Sequence, residues 1–291
     1  MFDHNEDKPD FEALANFRDL ISISCVSWGW TKKINNPQFG QLIFSDYFSF
    51  YPWYVAYNTE YIQANLPFKV SVHDLCSFRG QSTPGLSQII LNVCDYDKPL
   101  SAALEACWRE RWLHKSEDWK YRAVFRSLNM AHAASMMPTG TQPAIIYDFG
   151  RMLALWVSAF EIIARENEDD DTGFKSVYEL LEKVSYISEP QKYPTYMGKH
   201  KNKEVKTENK MFPCHLYGEL NKIRNDFIHG RKLSYNYKLI LGDYPLIAFA
   251  APLYSLALRG FLNLKFDISD EAWFAQRKIE AALSKAKPKV E

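Results

Sequence analysis

The sequence predicts a mainly α-helical protein. A helical bundle occupies residues 99–288, and a smaller region of strands and loops occupies residues 1–98. Three observations predict this. From about Pro99 onward, apolar residues recur every three or four positions, the spacing of a helix laid against a core. Residues 41–72 are instead crowded with aromatics, among them Phe44, Tyr47, Phe48, Phe50, Tyr51, Trp53, Tyr54, Tyr57 and Tyr61, which suit short strands. The chain has 291 residues, 47% of them apolar and 24% charged, enough for a substantial core and unlike a disordered polymer.

Taken in order, Pro84-Gly85 marks a turn in the first region. Leu100 to Trp112 carries Leu104, Trp108 and Arg111 at helical spacing. Trp119 to Met137 follows with Val124, Leu128 and Ala131 on one face, ended by Met137-Pro138-Thr139-Gly140. Ala144 to Asn167 has the stripe Leu153, Trp156, Phe160, Ile163. After an acidic break at 168–171, Phe174 to Ser185 carries Val177, Leu181 and Val184. Residues 186–211 show little apolar periodicity and many lysines, which predicts a long exposed loop. The stripe returns as Leu216, Leu220, Ile223 and Phe227 and stops at His229-Gly230, glycine being favoured just past a helix end. Pro245 opens a further apolar helix with Leu246, Phe249, Leu253 and Ala257. Ser269-Asp270-Glu271 caps the last helix, before a charged tail at 285–291.

Composition narrows the function classes. The 35 basic and 35 acidic residues balance to a formal charge of +0, so any nucleic-acid contact must use a local basic patch. The acidic N-terminus lacks signal-peptide character, and no apolar run reaches the roughly 18 residues of a membrane span. Five scattered cysteines without a C-x-x-C pair predict reduced thiols in a cytoplasmic protein, not a disulfide scaffold or zinc site. The histidines lack metal-ligand spacing, and neither a P-loop nor a G-x-S-x-G elbow is present. No cofactor or metal is expected.

The informative segment is Leu216-Tyr217-Gly218-Glu219-Leu220-Asn221-Lys222-Ile223-Arg224-Asn225-Asp226-Phe227-Ile228-His229-Gly230. It holds an R-x4-H motif with asparagine after the arginine and glycine after the histidine. Upstream lies Trp156-Val157-Ser158-Ala159-Phe160-Glu161, a helix with an embedded glutamate. Together these resemble the HEPN domain family, within it the ApeA-like branch, over roughly residues 100–285. Ile223 stands where that branch commonly has leucine.

The resemblance implies a metal-independent endoribonuclease, with Arg224 and His229 as the catalytic pair and Asn225 and Glu161 in support. It further implies a homodimer with both motif helices at one cleft, a role in bacterial stress or phage defence, and tRNA or messenger RNA as target. The residue types suit the chemistry. Histidine exchanges protons near neutral pH, and arginine grips phosphate with parallel hydrogen bonds. Five residues of ideal helix turn about 500°, leaving Arg224 and His229 about 140° apart. They therefore converge only if the helix loosens at its end or a second subunit completes the site.

Each residue also has a structural reading. His229 can cap the helix C-terminus, and Arg224 can serve as the partner that a carboxylate on an apolar helix, Glu161, requires. Lys199, Lys201 and Lys203 are candidate RNA contacts or part of an ordinary solvated insertion. The aromatics of 44–61 can stack bases or pack a core. The competing functional class is a non-catalytic HEPN-like module that binds a partner protein or nucleotide. Residues 1–98 are candidates for sensing a trigger, binding a regulatory partner or restraining the nuclease.

Overall fold

The computed structural model describes residues 11–38, 54–55, 61–63, 69–71, 96–136, 146–170, 173–199, 205–231, 240–241 and 244–286. It is mainly helical. Helices α1 (Phe11–Asn35), α2 (Lys98–Trp108), α3 (Trp119–Ser135), α4 (Ile146–Ile163), α5 (Phe174–Glu182), α6 (Phe212–Ile228), α7 (Ala250–Phe261) and α8 (Glu271–Ser284) make the body. A π-helical turn, Arg109–Leu113, extends α2, and a 3-10 turn, Leu246–Phe249, leads into α7.

The stripes read from sequence face the core. Leu153, Trp156, Phe160 and Ile163 of α4, Val177 and Leu181 of α5, and Leu246, Phe249, Leu253 and Ala257 around α7 are all buried. Side-chain caps set three helix starts. Asp97 accepts from the Leu100 amide, Asp118 from the Lys120 amide and Asp270 from the Trp273 amide.

The first correction concerns the N-terminal region. Phe11–Asn35 lies within residues expected to form strands and loops, yet it is a 25-residue helix. It packs on α3, α2, α7 and α8 and so shares the bundle's core. Ser22, Ile23, Ser24, Val26, Ser27 and Thr31 are all nearly inaccessible, so burial runs around the helix. The polar positions survive because Ser24, Ser27 and Thr31 each donate to the carbonyl four residues back. A helix buried all round has no polar face, so its sequence carries no amphipathic stripe. Further along, short strands do occur: β1 (Tyr54–Val55), β2 (Tyr61–Gln63) and β3 (Lys69–Ser71) form an antiparallel sheet in the order β1-β2-β3. Tyr54 and Tyr61 belong to it. The other aromatics of the 44–61 belt and Pro84-Gly85 lie outside the described residues.

The second correction concerns residues 186–211, expected as an exposed loop. They contain an antiparallel pair, β4 (Lys192–Lys199) and β5 (Val205–Met211), with a register shift between Tyr196 and Lys199. Tyr193, Thr195 and Met197 alternate toward the protein, a period of two where helical spacing is absent. Tyr193 packs on Phe212 with ring centroids 4.9 Å apart, and the Tyr178 hydroxyl donates to the Tyr196 carbonyl at 2.9 Å. The pair thereby lies against the first turns of α6. Two further short strands, β6 (Ile240–Leu241) and β7 (Tyr244–Pro245), pair ahead of α7.

Candidate functional site

Helix α6 carries the motif, and its ends explain where the motif residues sit. Pro213 starts the helix, where a missing N–H costs nothing. At the other end Gly230 takes φ +64, the left-handed conformation that glycine enters without penalty. The Arg231 amide then donates to the Asp226 carbonyl at 2.9 Å, and the Gly230 amide to the Phe227 carbonyl at 3.0 Å. This is a Schellman ending, and it leaves His229 as the C-cap, exposed to solvent beside exposed Ile228. No described residue hydrogen-bonds the His229 imidazole.

Arg224 turns the other way, onto α4. Its Nη2 donates to both carboxylate oxygens of Glu161 at 2.9 Å, and its Nη1 donates to Asn225 Oδ1 at 2.9 Å. The structure thus brings Arg224, Asn225 and Glu161 together and leaves His229 outside their hydrogen-bond network. The Arg224 and Glu161 side chains retain 20% and 24% exposure, so the pair lies at the edge of the core rather than within it. Burial pushes the Glu161 carboxyl up, against the opposing charges of Arg224 and Arg165. The α4–α6 contact is close near this end of the helix. A Cβ added to Gly150 would come within 2.2 Å of the Phe227 ring, so α4 needs glycine there.

Two further residues of α6 belong to this neighbourhood. The Tyr217 hydroxyl and Asn221 Oδ1 are buried with no hydrogen-bond partner among the described residues, as is Arg224 Nε. Tyr217 packs between Phe160 at 5.2 Å and Tyr178 at 5.9 Å, and burial raises its phenol well above the usual range, with the Glu161 charge adding to the rise. The signal for these residues was a polar spacing of four and three, 217-221-224, on an otherwise apolar helix face.

The lysine candidates divide. Lys199 is the last residue of β4, while Lys201 and Lys203 lie outside the described residues. Lys206 and Lys210 of β5 pair with Glu208 at 2.9 Å and Glu182 at 3.0 Å.

Two other features could attract a functional reading. Asp19, Ser22 and His132 form a buried Ser-His-Asp cluster between α1 and α3. Ser22 Oγ and Asp19 Oδ1 lie 3.1 and 3.5 Å from the same nitrogen, His132 Nδ1. A nucleophilic relay needs one partner on each ring nitrogen, so this is a core network. Arg18 and Asn129 hold Asp19 in place, and burial with the Arg18 charge pushes His132 down to about 3. The second feature is a cleft of about 440 Å³ between residues 186–191 and α8. It borders Phe212 and Pro213, roughly 25 Å along α6 from the histidine end at 1.5 Å per residue. Its Glu280 is occupied by the Ile187 amide and Gln276, both at 2.9 Å. Among the described residues, no three His, Cys, Asp or Glu side chains gather where they could hold a metal ion, and no helix is long and apolar enough to cross a membrane.

Compared with protein-family models, curated proteins and solved structures, the chain finds no match in any of the three.

Proposed function

We propose that this chain is a HEPN-like, metal-independent endoribonuclease acting as a homodimer, with Arg224 and His229 as its catalytic pair. One observation carries the reading. A single helix anchors an arginine through a carboxylate on the neighbouring helix and, at its glycine-ended terminus, presents an exposed histidine. The arginine supplies fixed positive charge for a phosphate, and the histidine supplies a group that moves protons near neutral pH.

In the proposed reaction, one His229 takes the proton of a ribose 2′-hydroxyl. The oxygen attacks the adjacent phosphorus as the bond to the 5′-oxygen breaks. The partner subunit's His229, entering protonated, gives its proton to that leaving oxygen. Arg224 stabilises charge on the phosphate oxygens. The products are a 2′,3′-cyclic phosphate and a 5′-hydroxyl. A dimer is required because the two motif side chains of one copy diverge by about 140° on the helix. A two-fold axis places the same patch opposite itself. The targets we propose are tRNA or messenger RNA, in a cytoplasmic stress or phage-defence role.

The test incubates purified protein with total tRNA and a single-stranded RNA in excess EDTA, beside His229→Ala. The reading requires cleavage by the wild type, none by the variant, and cyclic phosphate ends. Equal cleavage by both, or none by either, would overturn it.

A second reading also has an observation behind it. Glu161 and Asn225 occupy Arg224 as they would in a purely structural pair, which suits a non-catalytic module binding a protein or nucleotide. An active nuclease is toxic on expression and is relieved by Arg224 or His229 substitution. A binding module shows neither effect.

A further inference from the structure

The donors of Arg224 can be counted. A guanidinium has five N–H groups. Nη2 is engaged with both oxygens of Glu161, Nη1 gives one bond to Asn225, and Nε is buried without a partner. Gripping a phosphate with two parallel bonds needs two donors on one edge, either Nη1 with Nη2 or Nε with Nη2. Both edges share Nη2, which Glu161 holds. If Arg224 binds RNA phosphate as the ribonuclease reading requires, Nη2 must first leave Glu161. The half-buried carboxylate is then stranded, and such a charge needs a new partner.

The same face of α6 supplies one. Tyr217, Asn221 and Arg224 fall within about 60° of one another around the helix. Tyr217 packs on Phe160, the residue next to Glu161. Its hydroxyl is fully buried and unpartnered, an arrangement that costs free energy unless a second state uses it. The buried Asn221 amide, also with an unpartnered oxygen, lies one turn further along. We propose a hand-over: when Arg224 turns to the phosphate, the Tyr217 hydroxyl donates to the Glu161 carboxylate, with Asn221 turning its amide to assist. Tyr217 is then a positioning residue. It never touches RNA, and it sets how readily the arginine is released. Burial keeps its phenol protonated, so the donor is always present. The proposal rests on the ribonuclease reading and adds to it a residue the motif does not name.

The experiment measures binding of a short, mixed-sequence, single-stranded RNA with every 2′-hydroxyl methylated, so that no cleavage intervenes. Tyr217→Phe should bind about tenfold more weakly than the wild type, equivalent to about 1.4 kcal/mol. The free variant should melt at the wild-type temperature or above, because it loses a hydroxyl that has no resting partner. Glu161→Gln should bind more tightly, and in that background Tyr217→Phe should change binding less than twofold. Binding of Tyr217→Phe within twofold of the wild type would overturn the hand-over, as would equal losses in both backgrounds or a lowered melting temperature. If the wild type binds this RNA and cuts ordinary RNA while Tyr217→Phe behaves identically, only the hand-over fails. If the wild type neither binds nor cuts, the ribonuclease reading fails with it.

Discussion

Arg259 and Arg224 both meet a carboxylate from another part of the bundle, each through Nη2 to both oxygens. The Arg259–Asp97 pair spans 2.6–2.7 Å with side chains 3% and 1% exposed, and Asp97 also caps α2 and accepts from Ser255. The Arg224–Glu161 pair spans 2.9 Å with 20% and 24% exposure. The chemistry is the same and the surroundings are not. A sealed pair has no competitor, so it can only fasten helices together. A pair at the edge of the core can exchange its carboxylate for another anion. Exposure, not pairing, separates a fastening arginine from one available for work. The bundle accordingly has a closed side around α1, α2 and α7 and an open side where α6 meets α4.

The closed side should dominate stability. Asp97→Ala leaves Arg259 buried and uncompensated and should cost about 3–5 kcal/mol, read by denaturant unfolding. A loss under 1 kcal/mol would erase the distinction. The same side should govern acid sensitivity. His132 is held at about 3 when folded, against about 6.5 when unfolded, so the unfolded chain takes up its proton first. Its contribution is complete above about pH 6.5 and is lost as pH falls toward 3, at up to about 1.4 kcal/mol per pH unit. Asp19, raised by burial, acts in the opposite sense and favours the folded state once it protonates. Melting temperatures of the wild type should therefore fall more steeply from pH 6.5 to 4.5 than those of His132→Asn. Parallel curves would refute the assignment.

The open side should yield smaller stability changes and larger functional ones. Gly230→Ala forces a side chain into φ +64 and should cost about 1–2 kcal/mol. Arg224→Ala should cost about 1 kcal/mol or less, as partly exposed pairs do, while removing cleavage. His229→Ala should leave unfolding within about 0.5 kcal/mol of the wild type, yet lower cleavage by about 10²–10⁴-fold. A large stability loss in either variant would place that residue among the fasteners.

Helices with one wet face were legible in the sequence. The stripes of α3 to α7, the Asp270 cap and the glycine stop of α6 all follow from local rules. Two elements were not. Helix α1 hides its character because Ser22, Ser24 and Ser27 are buried alongside Ile23 and Val26, leaving no contrast between faces. The β4–β5 pair hides among lysines, its signal reduced to Tyr193, Thr195 and Met197 at alternate positions. For the site, Arg224, Asn225, His229 and Glu161 could be nominated from motif and composition. The direction in which Arg224 turns could not be read, because it depends on which helix lies beside α6. The Asp19–Ser22–His132 cluster joins residues 110 apart and left no local trace.

The order in which the chain is made meets a constraint in α1. This helix is synthesised first, yet it packs against α7 and α8, which come last. Asn35 donates to the Lys278 carbonyl at 2.8 Å, and Lys285 to the Ile34 carbonyl at 2.8 Å. The core therefore cannot close until nearly the whole polypeptide has left the ribosome. During that interval an apolar helix without a polar side waits uncovered, a species prone to aggregate and a natural client for chaperones. A nascent chain halted before α8 would remain in that state, and a shortened chain lacking α1 would carry the matching scar on α3, α7 and α8.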